Sequence, residues 1–293
     1  MLKNRHQIGV LLVLIGAGLW GGSSNSLEYL MEHQHLAWQT VLFIRMVITA
    51  VCFLILSKLR GEDILAPLRK APRLLLQFTV IGMYGMQVTF TLAIHYSNAA
   101  TGTVLQYLMP AVLLGYYLIK EHRAPRRREV IAVILAVLGT FFIATQGKGA
   151  VLAVSREALF WGIASAFGMA LYTAYAADLL KTYSCFVVIG WGSIGNALLL
   201  FILNRPTLAG AVWDLDTLAA FSVVIIFGTL IAYSVYLEST KYIPASETGA
   251  LAAFEPLSAY AVSILFMGNH VGPAEMAGAA CIMTMVWMLS KKS

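Results

Sequence analysis

Ten stretches of about twenty mostly apolar residues follow one another along this 293-residue chain, and that succession leaves very few ways to fold. A helix rising 1.5 Å per residue needs about 20 residues to cross a hydrocarbon core roughly 30 Å thick, and it satisfies its own backbone N–H and C=O groups on the way. The expected spans are 8–30, 38–57, 74–94, 99–119, 130–146, 158–180, 186–203, 218–237, 245–266 and 272–290. The longest connections, near 58–73, 147–157 and 204–217, are too short to hold a soluble catalytic domain. Hydrophobic residues make up 59% and charged ones 12%, against about 25% charged in soluble domains. The sequence therefore predicts an all-α membrane protein of ten transmembrane helices, with the lipid bilayer as its solvent.

Lys and Arg are spread unevenly over the connections. With the amino terminus inside, sixteen of the twenty fall on the cytoplasmic side, Lys148, Arg156 and Arg205 fall outside, and Arg45 lies within a span. Both termini are expected to be cytoplasmic, in a cell inner membrane of bacterial type. The same count explains the formal charge of +6 and the run Arg126 to Arg128 as topology, so no nucleic-acid partner is implied. The first apolar run continues past residue 20 without a small-residue cleavage site, so it is expected to stay as the first helix. Cys52, Cys185 and Cys281 show no paired spacing and imply neither disulfide nor metal site.

Pro110 and Pro256 lie 146 positions apart, almost half the chain, in segments of similar outline. At that offset Gly82 meets Gly228, Tyr96 meets Tyr242, Ala99 meets Ala245, Leu105 meets Leu251 and Glu129 meets Glu275. Identities are few, but turn residues, prolines and apolar blocks keep one register. The chain divides into repeats at 1–146 and 147–293. Five helices per half is odd, so a tandem copy enters the membrane from the opposite side. Such inverted repeats place a shared cavity near mid-bilayer and allow one half to rock on the other.

Residues lining that cavity are sought where polarity is expensive. An ionisable group at mid-membrane costs about 2.5–3.5 kcal/mol on insertion scales. Glu255 is about ten residues into the ninth segment, roughly 15 Å deep, and two readings stand. It binds a substrate amine or takes up a proton during transport, or it repairs a helix in which Pro256 frees the carbonyl of Ala252. Arg45 is expected to snorkel to the outer interface or to pair with Glu28. Gln87 maps onto Tyr233, and Ser24 maps onto Tyr172 at an offset of 148; all four are candidates to converge on one cavity. Helical spacing puts Thr103, Gln106, Tyr107 and Pro110 on one face of the fourth segment, and Thr248, Ala252, Glu255 and Ser258 on one face of the ninth. Trp20 is a candidate aromatic wall. For most of these residues a hydrogen bond between packed helices is the competing reading.

The block SNAATGTVLQYLMP (97–110) with Lys120 and Glu121, the block SETGALAAFEP (246–256), Trp20-Gly21 and the segment ALFWGIASAFGMALYT (158–173) resemble the two EamA repeats of the drug/metabolite transporter superfamily. The resemblance spans nearly the whole chain. It implies a ten-helix fold with both termini inside, a central cavity, and export of small metabolites such as amino acids; Pro110 and Glu255-Pro256 match the family's motifs in the fourth and ninth helices. One departure stands out: Gly268-Asn269 replaces a second acidic residue after the ninth helix. With no ATP-binding loop in the sequence, transport is expected to be secondary, without cofactor or metal and with protons as candidate coupling ions. A carboxylate among amides and tyrosines suits an amino acid or related small-molecule substrate. The competing classes are a membrane-embedded enzyme, opposed by scattered histidines and no HExxH motif or Asp-rich loop, and a receptor that binds without transporting.

Overall fold

Short polar residues and prolines set where the apolar runs become helices. The side chains of Asn98, Ser155, Ser184 and Asp214 each accept from a backbone N–H three residues on, as N-caps do, and Pro72 and Pro273 open two further helices where no N–H is needed. The computed structural model describes residues 2–120, 122, 124–146, 154–207, 213–239, 242–243, 251–252, 254–268 and 270–290. Among them all regular structure is helical. In chain order the helices are α1 (Leu2–Glu32), α2 (Trp38–Leu59), α3 (Pro72–His95), α4a (Ala99–Gln106), α4b (Met109–Lys120) and α5 (Arg127–Thr145). The second half supplies α6 (Arg156–Leu179), α7 (Cys185–Asn204), α8 (Leu215–Tyr236, running on to Ser239), α9 (Phe254–Phe266) and α10 (Pro273–Ser290). Six of these, within α1, α2, α3, α6, α7 and α8, are long and apolar enough to cross a membrane.

Buried clusters show that α1, α2, α3 and α4a alternate in direction. Leu30, Val41, Ile94, Ala99 and Phe221 pack together at one end, and Phe53, Leu75, Phe78, Leu179 and Val188 pack together toward the other. The helix contacts also obey an exchange rule. Helix α3 packs on α6 as α8 packs on α1, and α4 packs on α6 as α9 packs on α1, while the pairs α2–α7 and α5–α10 each map onto themselves.

Two features differ from the sequence expectation. The fourth segment is not one continuous helix, so residues 103–110 do not share a single face. It breaks at Tyr107 and Leu108 because Pro110, early in α4b, has no N–H for the carbonyl of Gln106, and bonds restart with Ala111 and Val112 donating to Leu108. In addition α3 is wound as a π-helix over Phe78–Tyr84 and α8 over Val223–Ile231. At the 146 offset the first stretch maps onto 224–230, inside the second. A 3.6-residue period carries no sign of this winding, in which backbone N–H groups bond to the carbonyl five residues back; within it the Thr229 hydroxyl donates to the Val224 carbonyl at 2.9 Å.

Close approach fixes how α1 meets α9. A methyl at Gly21 would strike Ser258 Oγ and stand 2.6 Å from the Ala259 nitrogen and 2.7 Å from the Glu255 carbonyl, so backbone lies on backbone. Asn25 clamps the crossing, its Nδ2 donating to the Gly21 and Ala259 carbonyls at 2.9 and 3.0 Å. Gly22, next along, has nothing within 4 Å. Gly21→Ala is therefore expected to destabilise by about 1–3 kcal/mol through overpacking, while Gly22→Ala gains up to about 1 kcal/mol of helix propensity. Thermal unfolding of both variants in detergent checks the contrast, and equal melting temperatures would refute it.

Candidate functional site

The α1–α8 contact turns one face of α1 inward. Gly16 comes within 3.2 Å of the Ala232 carbonyl as a notional Cβ, and Ser23 presses on Gly228. Trp20, one turn from each, faces the same way, with its ring 5.2 Å from Tyr233, edge on, and 5.0 Å from Tyr236. Across the bundle the α3–α6 contact does the same for Tyr172. Gly82 would hold a Cβ 2.9 Å from Tyr172 Cα, and Gly168 one 2.7 Å from Met86 Cα, which brings the Tyr172 ring 5.2 Å from Phe78. The hydroxyls of Tyr172 and Tyr233 face each other.

Two charged side chains complete this interior. Arg45 of α2 points inward: its Nη1 donates to Gln87 Oε1 of α3 at 3.3 Å, and its guanidinium lies in electrostatic reach of Tyr233. This corrects the expectation that it snorkels or pairs with Glu28. The Glu28 carboxylate is taken up elsewhere, accepting from the Ala99 N–H at 2.6 Å, where the positive end of α4a favours it. Glu255 of α9 stands beside Tyr107, whose hydroxyl is 2.9 Å from Glu255 Oε2 and 2.8 Å from the Ala252 carbonyl. Trp20, Arg45, Tyr107, Tyr172, Tyr233, Tyr236 and Glu255 are enclosed by helices yet keep part of their surface accessible, as residues on the wall of an internal space do.

The candidate residues are thus gathered unequally. Trp20, Tyr107, Tyr172, Tyr233 and Glu255 share this space, and Gln87 reaches it through Arg45. Ser24 is 6% exposed and returns its hydroxyl to the Trp20 carbonyl at 3.1 Å, away from Tyr172. Gln106 is buried, with its amide Nε2 unpartnered among the described residues. Pro256 is buried in the first turn of α9, with Ser258 of the same helix bonded to the Glu255 carbonyl at 2.8 Å. The Pro110 side chain, Glu121, Thr248, Asn269 and most of the block 246–256 lie outside the described residues, although α4b does contain the Pro110 backbone. Sequence reasoning missed Tyr236, for which the signal was its position one turn from Tyr233, and it read Arg45 as snorkelling or pairing with Glu28. It also missed Glu275, 3% exposed, which accepts from Thr101 Oγ1 at 3.0 Å and lies 3.5 Å from the Tyr260 hydroxyl. Among the described residues no three His, Cys, Asp or Glu side chains gather to hold a metal.

The EamA-like transporter family model matches this chain twice, at residues 7–145 and 156–291. The chain belongs to the EamA-like transporter family. The uncharacterized inner membrane transporter YicL of Salmonella typhimurium (strain LT2) is 35% identical over 288 residues, covering 97% of this chain and 96% of that one. The uncharacterized transporter YwfM of Bacillus subtilis (strain 168) is 22% identical over 215 residues, 70% of this chain and 69% of that one. A solved crystal structure shares the fold, with a TM-score of 0.61 and 16% identity over 98% of this chain and 97% of that one. Membership places this EamA protein among transporters rather than enzymes, and its interior is accordingly read as a route for a solute.

Tyr107 is the hinge of the arrangement. It supplies a donor to the Ala252 carbonyl, which Pro256 leaves without its helical partner. Of the two readings of Glu255, repair of the freed Ala252 carbonyl is a contact that Tyr107 makes here. Tyr107→Phe is expected to destabilise by about 1–3 kcal/mol by orphaning that carbonyl, read as a lowered melting temperature in detergent; an unchanged value would show that another donor serves Ala252.

Proposed function

We propose that the chain is a secondary transporter of a bacterial inner membrane, exporting a small organic metabolite such as an amino acid by alternating access, with both termini cytoplasmic. On this reading residues 1–146 and 147–293 are inverted five-helix repeats and the ten expected segments all span the bilayer. The exchange rule among helix contacts supports it, as do the π-wound stretches at matching positions of α3 and α8 and the naming of the Salmonella relative as an inner membrane transporter.

The observation that carries the mechanism is the bridge from Tyr107 to Ala252 and Glu255, which ties the interrupted fourth helix to the ninth. A phenol has one hydrogen to donate. With Glu255 ionised, Tyr107 serves the carboxylate or the Ala252 carbonyl. With Glu255 protonated, its own O–H donates to the Tyr107 oxygen, and Tyr107 donates to Ala252, so both contacts are hydrogen bonds at once. Protonation thus closes α4 onto α9, and loss of the proton frees the carboxylate for a substrate ammonium group. Proton and substrate take Glu255 in turn, which couples export of one to entry of the other. Trp20, Tyr172, Tyr233 and Tyr236 supply walls for the apolar part of the substrate, and Gln106 lies one residue from the bridge.

The test is flux in proteoliposomes loaded with labelled pooled amino acids. Wild-type protein is expected to show counterflow and accumulation driven by a pH gradient, whereas Glu255→Gln loses the gradient-driven part and shows weaker counterflow at symmetric pH, because its amide replaces the carboxylate that takes the ammonium group. Absence of counterflow by the wild type sinks the transport reading. Gradient-driven flux that is unchanged in Glu255→Gln sinks the coupling.

A further inference from the structure

Arg45 is deep in the fold and underused. It is seven residues past the start of α2, about 10 Å along the helix, and is enclosed by protein. A guanidinium carries five N–H donors, yet one hydrogen bond holds it, Nη1 to Gln87 Oε1 at 3.3 Å, while its buried Nε has no partner among the described residues. No described carboxylate pairs with it. A buried cation left in that condition is costly to the fold, because desolvation is compensated only by an opposite charge with good hydrogen-bond geometry. An amide and a phenol are weak compensation, and Gln87 is itself 4% exposed, held in place to present its oxygen.

Glu255 is the mirror case, a carboxylate served by the neutral Tyr107. Tyr233 lies in electrostatic reach of both charges and meets the Trp20 ring edge on, 5.2 Å away. The two opposite charges of this interior therefore face one tyrosine without pairing with each other. We infer that Arg45, held by Gln87, is the seat of an anionic group on the transported solute, and that this group is a carboxylate. The planar fork of a guanidinium accepts a carboxylate in two parallel bonds, and here Nε is one of the free donors. A monoanion neutralises Arg45. A phosphate dianion would leave excess negative charge in the same space as Glu255, where repulsion is weakly screened.

The inference rests on the transport reading only for what the solute is, since binding is measured without flux. Thermal unfolding of the protein in lipid nanodiscs would be followed with four additions: pooled amino acids, the matching decarboxylated amines, the matching deaminated acids, and inorganic phosphate. The amino-acid and acid pools are expected to raise Tm by several degrees, and the amines and phosphate to do so less or not at all. Arg45→Gln is expected to weaken the carboxylate-dependent shift between about tenfold and a hundredfold in ligand concentration, with Arg45→Lys in between. Gln87→Glu guards against simple misfolding: a carboxylate built beside Arg45 raises the ligand-free Tm while abolishing the response to the carboxylate pools. Equal response to amines and amino acids, no response to any carboxylate pool, or a full response in Gln87→Glu overturns the inference. A carboxylate response that disappears in these variants while counterflow is absent from the wild type would leave the seat standing and remove the transport reading instead.

Discussion

A peptide carbonyl without a donor in hydrocarbon costs several kcal/mol, and the arrangement around Ala252 follows from that constraint. Pro256 removes the N–H that would have served this carbonyl. The donor comes instead from Tyr107, at the point where the fourth segment is itself interrupted ahead of Pro110. The carbonyl freed by Pro256 therefore depends on the other half of the molecule. A helix broken in lipid is tolerated only where protein covers the break, so α9 must pack closely against its neighbours, and Gly21 with Asn25 provides that approach from α1. Placement of Glu255 on an interior wall follows from the same packing, because its neighbours in sequence are pinned on both sides.

Much of this was legible in the sequence because lipid makes the relevant signals one-dimensional. Apolar length marks a span, a proline within it marks an interruption, and an acidic residue next to that proline stands out at its depth. Tyr107 could be placed near Glu255 only because both segments were expected to cross the same cavity. What was not legible depends on rotation about each helix axis. Arg45 was expected to snorkel or to pair with Glu28 because depth alone does not say which way a side chain points, and here it points to Gln87 of α3. The burial of Glu28 and Glu275 was not foreseen for a related reason: they lie near helix ends, where water makes charge cheap, but both are buried by the start of α4a.

Polar groups in the interior are arranged in neutral–charged pairs, Gln87 with Arg45 and Tyr107 with Glu255. Such pairs hold a charge in place without neutralising it. A direct Arg–Glu bond would be the more stable arrangement for an empty protein, given good geometry. Keeping the two apart leaves each with residual field that a polar solute can answer, and the aromatic rings between them provide a surface with little rotamer freedom to lose.

On the proposed inverted-repeat reading, the contacts α3–α6 and α4–α6 trade places with α8–α1 and α9–α1 when the two halves do, so the conformation seen here also describes a second one. Let the first half take the bend, spacing and tilt that the second half now has, and let the second take those of the first. Those helix pairs are then still available, and on that reading the interior space is turned toward the opposite face of the bundle. The residues that spoil the trade are those without a matching partner, such as Glu255 against Met109. They are where the two conformations must differ in energy, and so where a bound proton or solute can choose between them.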